Sequence, residues 1–314
     1  MKPTEIFINQ YGNLRSGWRF SFFLLLFSFS LSLSQDIIKL IFEKSGSNYG
    51  FGTSLLTSVN RLVFFVLALL IGWLCGKYLE KLPFRALGAW FTRNWLKDLF
   101  FGLVLGAATL IFAVLIAVLF GGLRFAFNET QENSAIIETL IISLAVFIVG
   151  AAFEEALFRG YILQTFARAH LAWLAILLTS LFFGIGHLGN ANANYLSTLN
   201  TIMAGVWFSV AYLKTRTLWL PFGLHLIWNW IQGAIFGIEV SGITELTAAP
   251  LLREIDSGPV WLTGANYGIE GGIACTIALI VSTGLIWFLP ILKPTEEMLA
   301  LTSKEVSKGE TLTN

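Results

Sequence analysis

The side chains best suited to chemistry in this chain are carboxylates, imidazoles and an amide that lie inside apolar stretches. The segment Glu154-Glu155-Ala-Leu-Phe-Arg159 comes first along the chain. A charge inside a bilayer costs at least about 2.5–3.5 kcal/mol, so it is seldom placed there without a partner or a purpose. Glu155 and Arg159 are four residues apart, which stacks them on one helix face as an ion pair. We expect this pair to orient its helix.

Glu154 points about 100° away from its neighbour around the helix. No cation lies three or four residues from it along the chain. Counting along the helix places it about 18 Å from the helix end, near the middle of a membrane. A carboxylate in that position is suited to act as a general base or acid.

Two of the three histidines lie in apolar segments. One ends the segment Phe183-Gly-Ile-Gly-His187, and the other begins His225-Leu-Ile-Trp-Asn229. His225 and Asn229 are four residues apart and face one direction. Helix lengths place His225 about 11 Å and His187 about 24 Å deep, so helix tilt or a break at the glycines must bring them together. We expect the third, His170, to be a solvated residue at a helix end.

These residues could hydrolyse a bond in two ways. In one, His187 and His225 bind Zn²⁺, with or without Glu154, and the metal activates a bound water. In the other, Glu154 assisted by His187 takes a proton from water, while His225 and Asn229 donate hydrogen bonds to the oxyanion. The chain has neither an H-E-x-x-H motif nor a G-x-S-x-G elbow. Both alternatives therefore remain open.

Composition decides the class of protein. The 314 residues are 56% hydrophobic and only 12% charged, with a mean hydropathy of +0.73, whereas soluble domains are roughly 25% charged. This excludes a cytosolic enzyme, a disordered chain and a disulfide-rich secreted domain, and leaves a multi-pass membrane protein. A net charge of +1 gives no reason to expect a nucleic-acid partner. Cys75 and Cys275 lie in apolar segments, where we expect them to be small core residues.

Eight segments are long and apolar enough to cross a bilayer as helices. They are Trp18–Phe42, Leu55–Tyr78, Leu99–Gly121, Ala135–Phe166, Leu171–Leu188, Tyr195–Leu213, Leu218–Gly237 and Gly271–Leu289. We therefore predict an all-α bundle of about eight transmembrane helices. In the third segment, Gly102 and Gly106 are spaced to let a neighbouring helix approach closely.

The distribution of basic residues predicts the orientation in the membrane. With the N-terminus inside, the inner side holds Lys2, Arg15, Arg19, Lys77, Lys81, Arg85, Arg93, Lys97, Arg168, Lys214, Arg216, Lys293, Lys304 and Lys308, and the outer side holds Lys39, Lys44, Arg61, Arg124 and Arg253. This bias follows the positive-inside rule and predicts that both termini are cytoplasmic. Apart from the three charges of the 154–159 segment, we expect almost all charges to lie in loops, tails or helix ends.

We expect residues 1–294 to form one transmembrane domain whose motifs lie in 135–236. Segment 82–97 is predicted to be an interfacial linker, and 238–270 an outer loop that is either a lid or a connector. The polar tail 295–314 is predicted to be disordered.

The three motifs, in this order on membrane helices, resemble the signature of the CPBP intramembrane protease family. This family, also called the Abi family, includes type II CAAX prenyl endopeptidases and bacteriocin-processing or immunity proteins. The resemblance covers about residues 135–236. It implies a helical bundle with a cavity open toward the cytoplasm.

The resemblance also implies roles for individual residues. Glu154 would be the catalytic base, and His187 would share water activation or metal binding. His225 and Asn229 would hold the oxyanion. The supporting residues would be Glu155, Arg159 and Phe183.

The function expected from these observations is hydrolysis of a peptide bond in a membrane-associated protein or peptide, within the lipid bilayer. Two other classes remain as alternatives. One is a non-catalytic scaffold or immunity-type protein of the same fold. The other is an ion-coupled transporter. Many transporters are built from internal repeats, and the sequence shows none, which argues against this class.

Overall fold

The computed structural model describes residues 4–44, 49–243 and 248–303. The helices are α1 Thr4–Phe7, α2 Ser16–Lys44, α3 Tyr49–Glu80, α4 Trp95–Leu119, α5 Asn133–Glu155, α6 Leu163–Arg168, α7 Ala172–Gly186, α8 Tyr195–Thr215, α9 Trp219–Trp230, α10 Val260–Thr263, α11 Ile273–Phe288 and α12 Glu296–Thr302. The strands are β1 Leu123–Phe127 and β2 Leu252–Asp256. Two π-helical segments, Ala156–Ile162 and Ile231–Ile235, continue α5 and α9.

The protein is a multi-pass membrane protein built mostly of helices. Helix lies in every one of the eight segments predicted to span the membrane. Among the described residues, five helical stretches are long and apolar enough to cross a bilayer, namely Ser16–Ile41, Ser58–Glu80, Trp95–Leu119, Asn133–Arg168 and Tyr195–Thr215. Ala172–Gly186 and Ile273–Phe288 are apolar but shorter. The count of eight crossings and the location of the termini stay predictions.

Two groups of helices form the interior. One core brings together α4, α8, α9 and α11, and a second brings together α2, α3, α6, α7 and the π segment that follows α5. Helix α5 packs against both α3 and α9, so it lies between the groups. Cys75 and Cys275 are buried free thiols, one in each core, as predicted.

The glycine pair of α4 brings α9 into close contact, as its spacing predicts. A methyl group at Gly102 would lie 2.4 Å from the carbonyl oxygen of Leu220, and one at Gly106 would lie 2.6 Å from that of Leu224. Only glycine permits this approach. The contact fixes the position of α9, which carries His225.

The loop between α9 and α11 contains regular structure. Its strand β2 pairs antiparallel with β1 to form a two-stranded sheet, with Phe125 opposite Glu254. The sheet ties this loop to the connection between α4 and α5. Sequence periodicity alone did not predict the strands, because a five-residue strand gives only a weak pattern.

Two sequence expectations are corrected here. The tail begins with helix α12, where Thr295 caps the helix and Met298 and Leu301 pack against Leu82 and Ala86. Burial of these two apolar side chains orders 296–302, and the residues from 304 onward lie outside those described.

The second correction concerns charges expected at the surface. Arg19, Glu80 and Arg168 are each at most 3% exposed. Arg19 Nη1 lies 2.7 Å from Glu80 Oε2, and Arg168 donates to both oxygens of Glu80 at 3.0 Å. Thr165 donates to the same carboxylate at 2.9 Å. Helix ends that meet inside the bundle can therefore bury charges that the sequence places at a membrane surface.

Candidate active site

A cavity of about 200 Å³ lies among α5, α7, α8, α9 and the loop that precedes α11. Its walls include all four residues predicted to do chemistry: Glu154, His187, His225 and Asn229. The cavity is also lined by apolar side chains such as Phe183 and Trp207. The structure thus brings together residues that are up to 75 positions apart in the sequence, from Glu154 to Asn229.

The two adjacent glutamates lie where α5 changes to a π helix. Glu155 is the last residue of α5, and the π segment begins at Ala156. Such π segments recur at functional sites, where they re-aim side chains. Glu154 faces the cavity with its side chain 25% exposed, whereas the Glu155 side chain is 1% exposed. The side chains of Glu154 and Glu155 therefore point in different directions, as their adjacent positions on a helix predict.

Glu155 is the centre of a buried cluster. Its Oε1 accepts a hydrogen bond from Arg159 Nη1 at 3.2 Å, which is the ion pair predicted from their spacing. The same oxygen lies 2.9 Å from His225 Nδ1. This second contact joins α5 to α9 and had no signal in the sequence. Glu155 therefore positions a histidine of the cavity as well as pairing with its neighbour.

Arg159 ties the cluster to α8. Its Nη2 donates to the carbonyl oxygen of Gly205 at 2.9 Å, and its guanidinium lies 4.9 Å from the ring centroid of Phe183 and 5.1 Å from that of Phe208. A cation over aromatic faces in an apolar setting is stabilised by the ring quadrupoles. The residue therefore secures three helices behind the cavity.

The hydrogen bond at Nδ1 determines how His225 presents its other ring nitrogen. A carboxylate can only accept, so Nδ1 carries the hydrogen and donates to Glu155. His225 Nε2 then faces Glu154, whose Oε2 lies 3.8 Å away. The imidazole also stacks on Phe208 at 4.7 Å between centroids. Glu155, Glu154 and Phe208 thus lie on three sides of the His225 imidazole.

His187 is oriented in the same manner by a backbone group. Its Nδ1 lies 2.8 Å from the carbonyl oxygen of Phe183, one helical turn earlier, and a carbonyl can only accept. In the neutral imidazole, Nε2 is therefore the nitrogen with the lone pair. Phe183 therefore orients His187 through its carbonyl oxygen and contacts Arg159 through its ring.

The difference in depth between the histidines is resolved at the end of α7. That helix stops at Gly186, and His187 is its C-terminal cap. His225 lies well inside α9, and Asn229 follows one turn later beside the π segment 231–235. The end of α7 at Gly186 and the packing of α9 bring the imidazole rings of His187 and His225 to one cavity.

Further polar residues of the cavity were not among those predicted. Arg61 of α3 lines it, next to Gly150. Glu270 also lines it and accepts hydrogen bonds from Trp228 Nε1 at 3.2 Å and from the backbone of Ser241 at 2.6 Å. A charge inside a predicted span was the signal that could have identified Arg61. Glu270 lies in a short 3-10 helix, Ile269–Gly271, of the connection before α11, and no sequence pattern placed it at the site.

The cavity lies at the end of the bundle where α7 and α9 finish. Asn190, Ser241 and Glu270, all in connections between the long helices at that end, line it, whereas Ser16 and Arg168 meet at the opposite end. The basic residues predict that the end with Ser16 is cytoplasmic. The two expectations, a cavity that opens to the cytoplasm and termini that lie in the cytoplasm, stay predictions.

The residues do not form a ready-made zinc site. Structural and catalytic zinc sites use three or four protein ligands. Within residues 4–44, 49–243 and 248–303, no group of three or more His, Cys, Asp or Glu side chains is arranged to hold a metal ion. Glu154 Oε2 and His225 Nε2 lie 3.8 Å apart, and His187 does not complete a set of metal ligands with them. We therefore derive the chemistry through the side chains alone.

Comparison with known proteins agrees with the resemblance seen in the motifs. Residues 136–231 match the family model described as "Type II CAAX prenyl endopeptidase Rce1-like". The matched region contains every residue of the three motifs and most of the cavity's helical wall.

Two curated bacterial proteins are similar to part of the chain. An Escherichia coli protein named "Uncharacterized 24.3 kDa protein" is 32% identical over 96 residues, which are 30% of this chain and 43% of that protein. "Putative membrane peptidase YdiL" of Bacillus subtilis strain 168 is 30% identical over 106 residues, which are 32% of this chain and 41% of that protein. The matches thus span about two fifths of the length of these relatives.

Proposed function

We propose that this protein is an intramembrane endopeptidase that hydrolyses a peptide bond of a membrane-associated protein or peptide. The observation that carries the proposal is the convergence of Glu154, His187, His225 and Asn229 on one cavity of the helical bundle. The match of residues 136–231 to the type II CAAX prenyl endopeptidase family model supports the same reaction class.

Glu154 acts as the general base in this proposal. Its Oε2 is buried and has no hydrogen-bond partner among the described residues. A buried acceptor of this kind is suited to bind the attacking water. Glu154 takes one proton from that water, and the Nε2 lone pair of His187 accepts a hydrogen bond from its other proton. The resulting hydroxide attacks the scissile carbonyl carbon.

The oxyanion that forms needs hydrogen-bond donors already in place. His225 Nε2 and the Asn229 side-chain amide supply them. A His225 that donates through both nitrogens carries a positive charge, and the carboxylates of Glu155 and Glu154, at 2.9 and 3.8 Å, stabilise that charge. When the tetrahedral intermediate collapses, the C–N bond breaks and the leaving amine takes the proton held by Glu154.

The test compares three forms of the protein in cells at matched expression: wild type, Glu154→Gln and Glu138→Gln. Glu138 lies on the same helix α5 but is exposed and does not line the cavity, so its variant is a matched control. Sequencing of the N-termini in membrane fractions identifies cleavage products. We expect products with wild type and Glu138→Gln, and a loss of about 10²- to 10⁴-fold with Glu154→Gln.

The same products at the same level with Glu154→Gln would overturn the mechanism. If neither wild type nor any variant changes the membrane N-termini although each inserts and folds, the endopeptidase proposal itself is wrong.

A further inference from the structure

One charged side chain of the candidate active-site cavity has no part in the proposed reaction. Arg61 lies on α3, inside the apolar stretch Ser58–Glu80, and lines the cavity. A guanidinium stays charged in proteins, and a charge inside a bilayer is costly unless it has a partner or a function. The contacts of Arg61 therefore decide which of the two applies.

The carboxylates of the cavity are engaged with other groups. Glu270 accepts hydrogen bonds from Trp228 Nε1 at 3.2 Å and from Ser241, through its N–H at 2.6 Å and its hydroxyl at 2.7 Å. The Oε2 of Glu154 faces a histidine ring nitrogen 3.8 Å away. In the part of the chain that the structure describes, Arg61 forms neither an ion pair nor a hydrogen bond. Its charge is therefore left for a group that enters the cavity.

Arg61 reaches the cavity over a glycine of α5. A methyl group at Gly150 would lie 3.3 Å from Arg61 Nη1, so the absence of a side chain there makes room for the guanidinium. Gly150 is buried and precedes Glu154 by one helical turn, about 6 Å along the axis of α5, and both line the cavity. The guanidinium thus packs against α5 one turn from the proposed general base.

The distance along α5 limits which part of a substrate Arg61 can meet. An extended peptide advances about 3.3 Å per residue, so a peptide with its scissile carbonyl at Glu154 passes Arg61 within about three residues of that bond. A guanidinium donates two parallel hydrogen bonds to a carboxylate, an arrangement that a neutral amide or a cation does not reproduce. The substrate group that fits Arg61 is therefore a carboxylate.

We propose that Arg61 binds a carboxylate of the substrate close to the scissile bond. The inference rests on the proposed endopeptidase function and makes Arg61 a specificity-determining residue of that site. The carboxylate belongs either to an Asp or Glu side chain or to the C-terminus of the substrate, and both sources share the same contact. Phe147 and Trp207 line the same cavity, and such apolar walls strengthen an ion pair by lowering the local dielectric constant.

The first experiment compares cleavage sites in cells that express wild type, Arg61→Gln or Arg124→Gln at matched levels. Sequencing of the N- and C-termini in membrane fractions locates each cut in its precursor. We expect wild-type sites to have an acidic residue or the chain end within about three residues of the cut. Arg61→Gln should cut these sites about 10- to 100-fold less, the range for a lost hydrogen bond to a charged group. Arg124 is exposed on β1 and does not line the cavity, so its variant should match wild type.

Charge reversal separates recognition of the substrate from support of the fold. Arg61→Glu should move cleavage to sites with Lys or Arg at the same distance from the cut, a change that a loss of folding cannot produce. Arg61→Lys keeps the charge but not the two parallel N–H donors. It should therefore keep the preference for acidic sites with a lower rate of cleavage.

Peptides that copy the most strongly cleaved wild-type site distinguish the two sources of the carboxylate. One peptide is unchanged, one has its acidic side chains replaced by the amides, and one has an amidated C-terminus. With purified wild type, loss of the recognised carboxylate should raise KM about 10- to 100-fold and leave kcat nearly unchanged. With Arg61→Gln, the three peptides should have the same KM.

Two results would overturn the role of Arg61 and leave the endopeptidase proposal in place. They are cleavage by wild type without a preference for acidic sites, and an unchanged preference in Arg61→Gln. If wild type inserts and folds but cuts nothing, the endopeptidase proposal is wrong, and this inference is wrong with it.

Discussion

Two buried carboxylates of this protein have similar first neighbours and different surroundings. Glu155 contacts Arg159 and His225, and Glu80 contacts Arg19 and Arg168. The first cluster borders a cavity of about 200 Å³ and includes a histidine whose second nitrogen faces another carboxylate. The second combines its carboxylate with two permanent cations.

Burial of charge alone does not distinguish a cluster that does chemistry from one that holds helices together. Both clusters join several helices, and both satisfy charges that would be costly alone. Of the two clusters, only that of Glu155 contains an imidazole, and the second ring nitrogen of this His225 faces the cavity. We therefore assign chemistry to the Glu155 cluster and helix assembly to the Glu80 cluster.

The largest effect on stability is expected at the Glu80 cluster. Glu80→Gln removes the carboxylate charge that pairs with the buried Arg19 and Arg168, which should lower the free energy of unfolding by about 3–5 kcal/mol. Thermal unfolding in detergent measures this loss. Cleavage per folded molecule, measured well below the unfolding midpoint on a substrate identified by N-terminal sequencing of membrane fractions, should be unchanged. A fall in cleavage per folded molecule would contradict the assignment of the Glu80 cluster to helix assembly alone.

A smaller effect, but on the reaction, is expected at Glu155. Glu155→Gln keeps an oxygen that can accept from His225 Nδ1 but removes the charge that stabilises a doubly protonated imidazole. We expect cleavage to fall roughly 10- to 100-fold, with a changed pH profile of kcat and little change in KM. A loss of stability with an unchanged pH profile would show that Glu155 only supports the helices.

The smallest effect is expected at Glu254, a carboxylate whose charged neighbours are anions instead of cations. Burial, with Glu239 and Asp256 nearby, raises the pKa of Glu254 to about 8. Because the folded pKa lies above the unfolded one, the stabilising contribution is complete below pH 4.5 and is lost as the pH rises to 8.

Replacing Glu254 removes this pH dependence. Glu254→Gln should flatten the fall of Tm between pH 5 and 8 by about 2 °C, since Glu254 is partly exposed and its interactions are screened. Glu129→Gln, at an exposed site, is the control. An unchanged slope in Glu254→Gln would mean that the residue titrates normally.

Local features of the site followed from the sequence. The Glu155–Arg159 pair and the different direction of Glu154 depend only on helical periodicity. The close contact made by Gly102 and Gly106 follows from small residues one turn apart. These predictions are confirmed because each depends on a few consecutive residues.

Contacts between polar side chains on different helices did not follow in this way. The Glu155–His225 bond joins residues 70 positions apart, and Arg159 meets the backbone of Gly205. Neither the crossing angle of α5 and α9 nor the end of α7 at Gly186 is encoded in a local pattern. The depths counted from helix ends therefore separated His187 and His225, which the structure brings to one cavity.

A helical membrane protein, and the side chains that could do chemistry, can be recognised from the amino-acid sequence because scarce charge and hydrophobic length are local properties. Which charges work together depends on how the helices pack. The tertiary structure places Glu155 under His225 and gathers Arg19 and Arg168 around Glu80. Side chains on separate helices meet through packing, and packing depends on the whole chain at once.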